Sequence, residues 1–275
     1  MTNGWQYYNH ALIPTCWPHE EADTAVLNKI LRGGALFARW TSDWDCGRET
    51  GFWACILDHP FDIMSVNAKR RYEVNKGRRY FYTKLIGAES VRAMYDVYVE
   101  ALEGYPGHPV PEDEKSWCSR WTRAMAEEGV SMIGAYDRET DRLCGYAHCI
   151  EHGRYIPISS FKSRVSEEKR NVNFALMDGI CEHYKDNLAN GAYLCDGWRN
   201  VLHQTAFQDW LEKYFQFRKA YCVLNILYRP GFGFIVKCLY PLRKLFMRFD
   251  HISFIHAVNG IMKMEEGRRS NSTGQ

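Results

Sequence analysis

The chain has 275 residues, 46% of them hydrophobic and 25% charged, enough to bury a full core and typical of an ordinary globular protein. A formal net charge of +2 gives no strong global field to recruit nucleic acid. The ten cysteines include no CxxC pair, which argues against a zinc site or a disulfide framework and fits a reducing cytoplasm. The opening MTNGWQYYNHALIPTC has no basic region followed by an apolar stretch, so it does not read as a signal peptide. No run of about 18 apolar residues reads as a membrane span, and the expected location is the cytoplasm.

In chain order, ALFARWT (35–41) and GFWACILD (51–58) read as two strands joined by a polar loop. Asp62 is placed to cap a helix running to about Lys76, with Gly77 as its stop. YFYTKLI (80–86) is a strand. Val91, Met94, Tyr95, Tyr98, Val99 and Leu102 form a helical stripe over 88–103. Pro106, Pro109 and Pro111 break it before a second helix, 112–128. A meander follows, with strands at 130–136, 143–152 and 155–165. A helix then ends near Asn190 and Gly191, AYLCDG reads as a buried strand, another helix follows, and 219–229 is the last strand. Residues 1–230 are expected to form one domain with an N-terminal strand extension, and 231–275 a helical tail with a disordered end.

From 130 onward the order is strand, turn, strand, strand, helix, strand, helix, strand. With its local residues, this resembles the GNAT acyltransferase superfamily. The matching pieces are Cys144-Gly145-Tyr146-Ala147, Ala175-Leu176-Met177, Asn200 after the next strand, Ala206, and Glu212-Lys213-Tyr214-Phe215-Gln216-Phe217. A narrower likeness is to the Fem-type branch, the peptidoglycan-bridge aminoacyltransferases and their single-domain relatives. It rests on the basic stretch Lys69 to Gly77 and on Tyr193-Leu194-Cys195-Asp196-Gly197-Trp198-Arg199. The resemblance implies an α/β fold, a GNAT-like mixed sheet flanked by helices, with a basic amphipathic tail. It departs from the family in carrying Asn171 and Asn173 where glycines are expected in the phosphate turn, and Gln216 where the family has Gly. Asparagine tolerates left-handed backbone better than other non-glycine residues.

The resemblance also implies a set of site residues. Lys169, Arg170, Asn171, Val172, Asn173 and Asn200 would hold the donor, acyl-CoA in most of the family and aminoacyl-tRNA in Fem-type relatives. A helix start favours an anion because free N–H groups and the helix dipole face it. Glu151 stands where a general base is often placed, His148 lies on the same strand facing the other way, and Tyr214 is a candidate acid. Each has a plain structural alternative: a solvated strand end for Glu151, a core histidine for His148 and a core aromatic for Tyr214. Asp196 and Arg199 lie at the carboxyl end of a strand, where α/β proteins place ligand groups, although Asp196 can equally cap the turn. Lys69, Arg70 and Arg71, with Lys213, are candidate contacts to an anionic substrate or RNA, and a solvated helix face accounts for some of them. No metal is expected.

The tail is different again. Phe234, Ile235, Leu239, Leu242, Leu245 and Phe249 share a segment with Lys237, Arg243, Lys244 and Arg248, interrupted by Pro241. Such a segment packs on the domain or on a partner, or lies in a membrane interface over 231–250. The leading expectation is an acyl- or aminoacyltransferase acting on an amine of an envelope or surface-polysaccharide precursor. The alternatives are an N-acyl amino acid or lipid synthase using acyl carrier protein, and a non-catalytic module binding RNA or protein.

Overall fold

The structure is a computed structural model, which describes residues 4–199 except 106 and 108, and residues 206–270. The first elements are β1 (Trp5–Tyr8), β2 (Ala11–Pro14), α1 (Leu27–Ile30), β3 (Phe37–Ser42), β4 (Phe52–Leu57), α2 (Ala68–Tyr80) and β5 (Phe81–Leu85). Next come α3 (Val91–Glu103), α4 (Glu114–Met125), β6 (Val130–Asp137), β7 (Leu143–Ile150) and β8 (Tyr155–Ser163). Then follow α5 (Val172–His183), α6 (Lys185–Ala189), β9 (Tyr193–Trp198), α7 (Ala206–Phe215) and β10 (Arg218–Tyr228). The last are α8 (Phe232–Leu239), α9 (Arg243–Phe246) and α10 (Ser253–Ser270). This is the expected α/β fold, a mixed sheet flanked by helices.

The chain divides into two compact units. One comprises Met1–Cys55, Trp198–Ala206 and Lys219–Gln275; the other comprises Ile56–Gly197 and Phe207–Arg218. In the first unit β1 pairs antiparallel with β2, β2 pairs parallel with β3, and β3 pairs antiparallel with β10. The β1–β2 hairpin was not legible in the sequence. Its turn is made by Asn9 and His10, both at positive φ (44° and 63°), with no glycine to mark it. Trp5 and Leu12 from this hairpin pack with Leu27, Leu31 and Ala38.

In the second unit β5, β6, β7 and β8 form an antiparallel meander, and β8 then pairs parallel with β9. Helices α3 and α4 cover one face of the meander, where Met94, Val97 and Trp117 pack on Met132, Tyr136 and Tyr146. Each such side chain, fully removed from water, contributes about 1.5–3 kcal/mol. Asp113 starts α4 by accepting a hydrogen bond from the Ser116 amide at 2.9 Å.

Helix α2 departs from the sequence expectation at both ends. Asn67 caps it, accepting from the Arg70 amide at 3.0 Å, while Asp62 closes its own turn by accepting from Met64 N at 2.8 Å. Gly77 does not stop the helix. A Cβ there would lie 2.7 Å from the Asn171 carbonyl oxygen and 2.9 Å from the Ala175 nitrogen. The glycine lets α2 lie directly against the start of α5. Helix α10 runs to Ser270, so residues 267–270, expected to be disordered, are helical.

Candidate active site

The residues that come together at this site belong to the second unit. Its centre is the β8–β9 pair. Tyr155, Ile156 and Pro157 pair in register with Tyr193, Leu194 and Cys195, and the parallel register ends there. Beyond it β8 runs on for six residues to Ser163 and β9 for three to Trp198. The two strands therefore part where Asp196 begins the end of β9 that β8 no longer pairs. A parting of parallel strands opens backbone groups and space at their carboxyl ends, the usual ligand side of an α/β sheet.

Asp196 is the most strongly perturbed acid near this point. Burial raises its carboxyl to about 7, against an opposing hydrogen bond from the Gln208 side chain. Gln208 is itself buried, on the same stripe of α7 as Leu211 and Phe215. A polar residue on an otherwise apolar helical stripe is the sequence signal that could have pointed to this contact. The wall beside the parting is aromatic. Phe161 of β8 lies 5.1 Å from Phe207, which stacks on Trp210 at 5.4 Å, and Trp210 meets Phe174 of α5 at 5.0 Å between ring centres.

The three residues read as catalytic are not brought together. Glu151 is exposed just beyond β7, where its amide donates to Gly129 O at 2.8 Å. In the β7–β8 register Cys149 lies opposite Ile158, which puts Glu151 toward the paired start of β8 and away from the parting. His148 is 8% exposed and faces α3 and α4 with Tyr146. Its ring stands edge-on to Trp121 at 5.2 Å, and burial lowers its pKa below the usual histidine range. Its Nε2 and the Trp121 Nε1 are both buried with no hydrogen-bond partner among the described residues. Tyr214 instead packs on Phe174 at 4.9 Å, within the aromatic wall. The opposite face of β7 is the one that α5 covers: a Cβ on Gly145 would lie 3.4 Å from Leu176.

The expected phosphate turn has the right backbone. Asn171 takes the left-handed conformation (φ 65°, ψ 39°) at the start of α5. The N–H groups of Val172 and Asn173 have no acceptor within the helix by the geometry of a helix start. The side chains, however, are engaged with the protein itself. Asn171 Nδ2 donates to the Glu73 carboxylate at 2.7 Å and to the Glu73 carbonyl at 3.0 Å. Arg170 bridges Asp137 at 2.6 Å and Glu167 at 2.9 Å and lies over the rings of Tyr80 and Phe81. Burial works against ionisation of Asp137, yet the bonds from Thr140 and Arg170 outweigh it and hold the carboxyl at about 2. Lys169 is exposed, its carbonyl accepting from Lys76 Nζ at 2.8 Å, and the Asn173 side-chain oxygen is buried without a partner among the described residues. Gln216, the other substitution for a family glycine, is also left-handed (φ 60°), and its side chain bonds Asp62 N and Ser65 Oγ.

Lys69 is exposed and Arg70 half-buried near the start of α2, whereas Arg71 donates to the Met64 carbonyl. Lys213 is exposed over the Tyr214 ring. Arg199 falls in the first unit, donating to Gly51 O and lying over Trp53. Asn200 lies outside the described residues. Among the described residues no group of three or more histidine, cysteine or acidic residues is arranged to hold a metal ion.

No protein-family model matches the chain, and no curated protein matches it by sequence. Solved structures do resemble it. The L-PGS of Bacillus licheniformis aligns at a TM-score of 0.49 and 12% identity, over 82% of this chain and 80% of that one. A GNAT family acetyltransferase of Staphylococcus aureus aligns at 0.32 and 11%, over 41% of this chain and 82% of that one. The PaiA N-acetyltransferase of Thermoplasma acidophilum, solved with coenzyme A, aligns at 0.32 and 14%, over 40% of this chain and 74% of that one.

Proposed function

We propose that the chain is an acyl- or aminoacyltransferase that joins an activated acyl group to an amine at the parting of β8 and β9. The observation that carries this reading is Asp196: a half-buried carboxyl at about 7, at the carboxyl end of a strand that has just separated from its parallel neighbour. A proton acceptor works best with a pKa near the working pH, and this carboxyl meets that condition. The amine nitrogen attacks the carbonyl of a thioester or ester, the C–N bond forms, and the C–S or C–O bond breaks. The proton that the amine loses passes to Asp196, and the departing thiol or alcohol gains one. Gln208 holds the Asp196 carboxyl in place by a hydrogen bond.

The engaged state of Arg170 and Asn171 bears on the donor. With those side chains committed to Asp137, Glu167 and Glu73, a carrier phosphate would rest on the Val172 and Asn173 N–H groups, with Lys169 as the adjacent cation. That is a sparse set for acyl-CoA. The exposed Lys69 and the neighbouring Arg70, on the helix that lies against the α5 start, favour a second donor class: a larger anionic carrier, aminoacyl-tRNA or acyl carrier protein. The same cations support an acceptor amine carried on an anionic envelope or surface-polysaccharide precursor.

Calorimetric titration with acetyl-CoA, charged tRNA and acyl carrier protein separates these donors. Binding of one of them, followed by turnover with an amine acceptor, supports the reading. Failure of all three to bind would remove it in favour of a fold that only binds RNA or protein. Turnover that survives Asp196→Asn but is lost in Glu151→Gln or His148→Gln would move the base to that residue.

A further inference from the structure

The tail of the first unit carries a surface that the proposed chemistry does not use. Residues 230–249 contain no aspartate or glutamate and four basic residues, Lys237, Arg243, Lys244 and Arg248. The segment folds as α8, a turn at Pro241 and α9. Its inward side is anchored: Val236 is buried, and Asn259 of α10 donates to the Phe246 carbonyl at 3.2 Å and to Asp250 at 2.7 Å. Asp250 also accepts from His256 at 3.1 Å. These ties hold the backbone in place, with Phe232, Leu239 and Phe246 half-buried and much of the rest of the segment facing solvent.

What faces solvent is apolar. Phe234 is 72% exposed, Phe254 is 78% exposed, and Ile235, Leu242, Leu245 and Phe249 are each exposed by 44–51%. Single exposed hydrophobics are ordinary, but so many large ones on one short segment mark a contact surface. The charged residues beside them are cationic. Arg243 is the exception to full exposure, since it lies over Tyr240 and pairs with Glu266. Lys237, Lys244 and Arg248 are exposed without an ion-pair partner among the described residues.

We propose that α8 and α9, with Phe254, form a docking surface for the interface of an anionic lipid bilayer. Large apolar side chains between lysines and arginines, with no acid among them, match an acyl boundary beneath anionic headgroups. No helix among the described residues is long and apolar enough to cross a membrane, so the segment would lie on the surface rather than span it. A protein partner with an acidic, apolar face or a second copy of this chain would meet the same surface, and the experiment distinguishes them.

The full chain is to be sedimented with vesicles of phosphatidylcholine alone and of phosphatidylcholine with phosphatidylglycerol, at low and high salt. Binding to the anionic vesicles only, weakened by salt, is expected. Replacing Lys237, Lys244 and Arg248 together by glutamine should weaken it on the order of 100-fold, from about fivefold per charge. Phe234→Ser with Phe254→Ser should abolish it, while circular dichroism and the thermal midpoint show that both variants remain folded. Equal binding to both kinds of vesicle, or none to either, overturns the proposal. So does a concentration-dependent dimer, lost in the double variant Phe234→Ser with Phe254→Ser, with no vesicle binding. None of these outcomes depends on whether Asp196 is a base or which donor binds.

Discussion

The start of α5 and the parting of β8 and β9 belong to the same unit, and both carry polar residues with functional readings. They use them differently. At α5, Arg170 and Asn171 are spent on the fold, bonded to Asp137, Glu167 and Glu73. At the parting, Asp196 is held by a single amide partner and by burial that keeps its carboxyl near 7. A charge surrounded by its own counter-charges stabilises a structure and resists further work. A carboxyl with its charge suppressed is poised to change state. Residue type alone would have ranked the arginine above the aspartate.

That contrast can be broken in four ways. The largest expected effect is at Asp196. Asp196→Asn keeps the shape and removes the proton acceptor, so turnover with whichever donor binds should fall by roughly 10²–10⁴. The rising limb of the pH–rate profile near 7 should vanish with it. The same group sets a stability slope. Its folded pKa of about 7 exceeds the ordinary 3.8, so the native protein holds a proton that the unfolded chain releases. The resulting stability is complete below about pH 4 and is lost as pH rises through about 7. Urea midpoints measured across that range should decline in the parent and stay flatter in Asp196→Asn. A parallel decline in both proteins would show that Asp196 titrates normally.

Arg170→Ala tests the other region. If Arg170 belongs to the fold, its loss leaves buried Asp137 with an unmatched acceptor and costs about 1–3 kcal/mol in denaturant unfolding. Unchanged stability with weakened donor binding would instead make it a ligand. The Asp137 carboxyl, held at about 2, adds stability that is present above the ordinary 3.8 and lost as pH falls through about 2. Arg170→Ala should therefore also blunt the loss of stability between about pH 4 and 2.

Gly77→Ala probes the packing that brings α2 to the α5 start. Helix propensity alone predicts a gain of about 0.8–1 kcal/mol for removing an interior glycine. The 2.7 Å approach to the Asn171 carbonyl predicts a loss of about 1–3 kcal/mol instead. The sign of the shift in thermal midpoint decides between them. Lys169→Ala should have the smallest effect on stability, within about 0.5 kcal/mol, because the side chain is exposed. If a phosphorylated carrier binds at α5, its affinity should fall and become less sensitive to salt. Unchanged affinity and an unchanged salt slope would place the donor elsewhere.

The sequence by itself determined the succession of elements from β3 to β10. Alternating apolar runs, helical stripes such as Val91 to Leu102, and proline or glycine breaks are local signals that survive in any tertiary context. The family likeness pointed to Asn171, Asn173 and Gln216 as glycine positions; Asn171 and Gln216 are left-handed, while Asn173 lies within α5. What it left open were properties set by distant neighbours. Gly77 read as a helix stop because a glycine's local meaning is conformational freedom. Only the α5 backbone 98 positions or fewer away in sequence explains why a Cβ is excluded within the helix. Asn9 and His10 turned a hairpin without the glycine that usually announces it. Arg170 and Asp196 were named as candidates, but whether each charge is neutralised, suppressed or free depends on which groups lie beside it and how much water reaches it. Those are quantities of the packed structure, because electrostatic energy follows distance and dielectric rather than position along the chain.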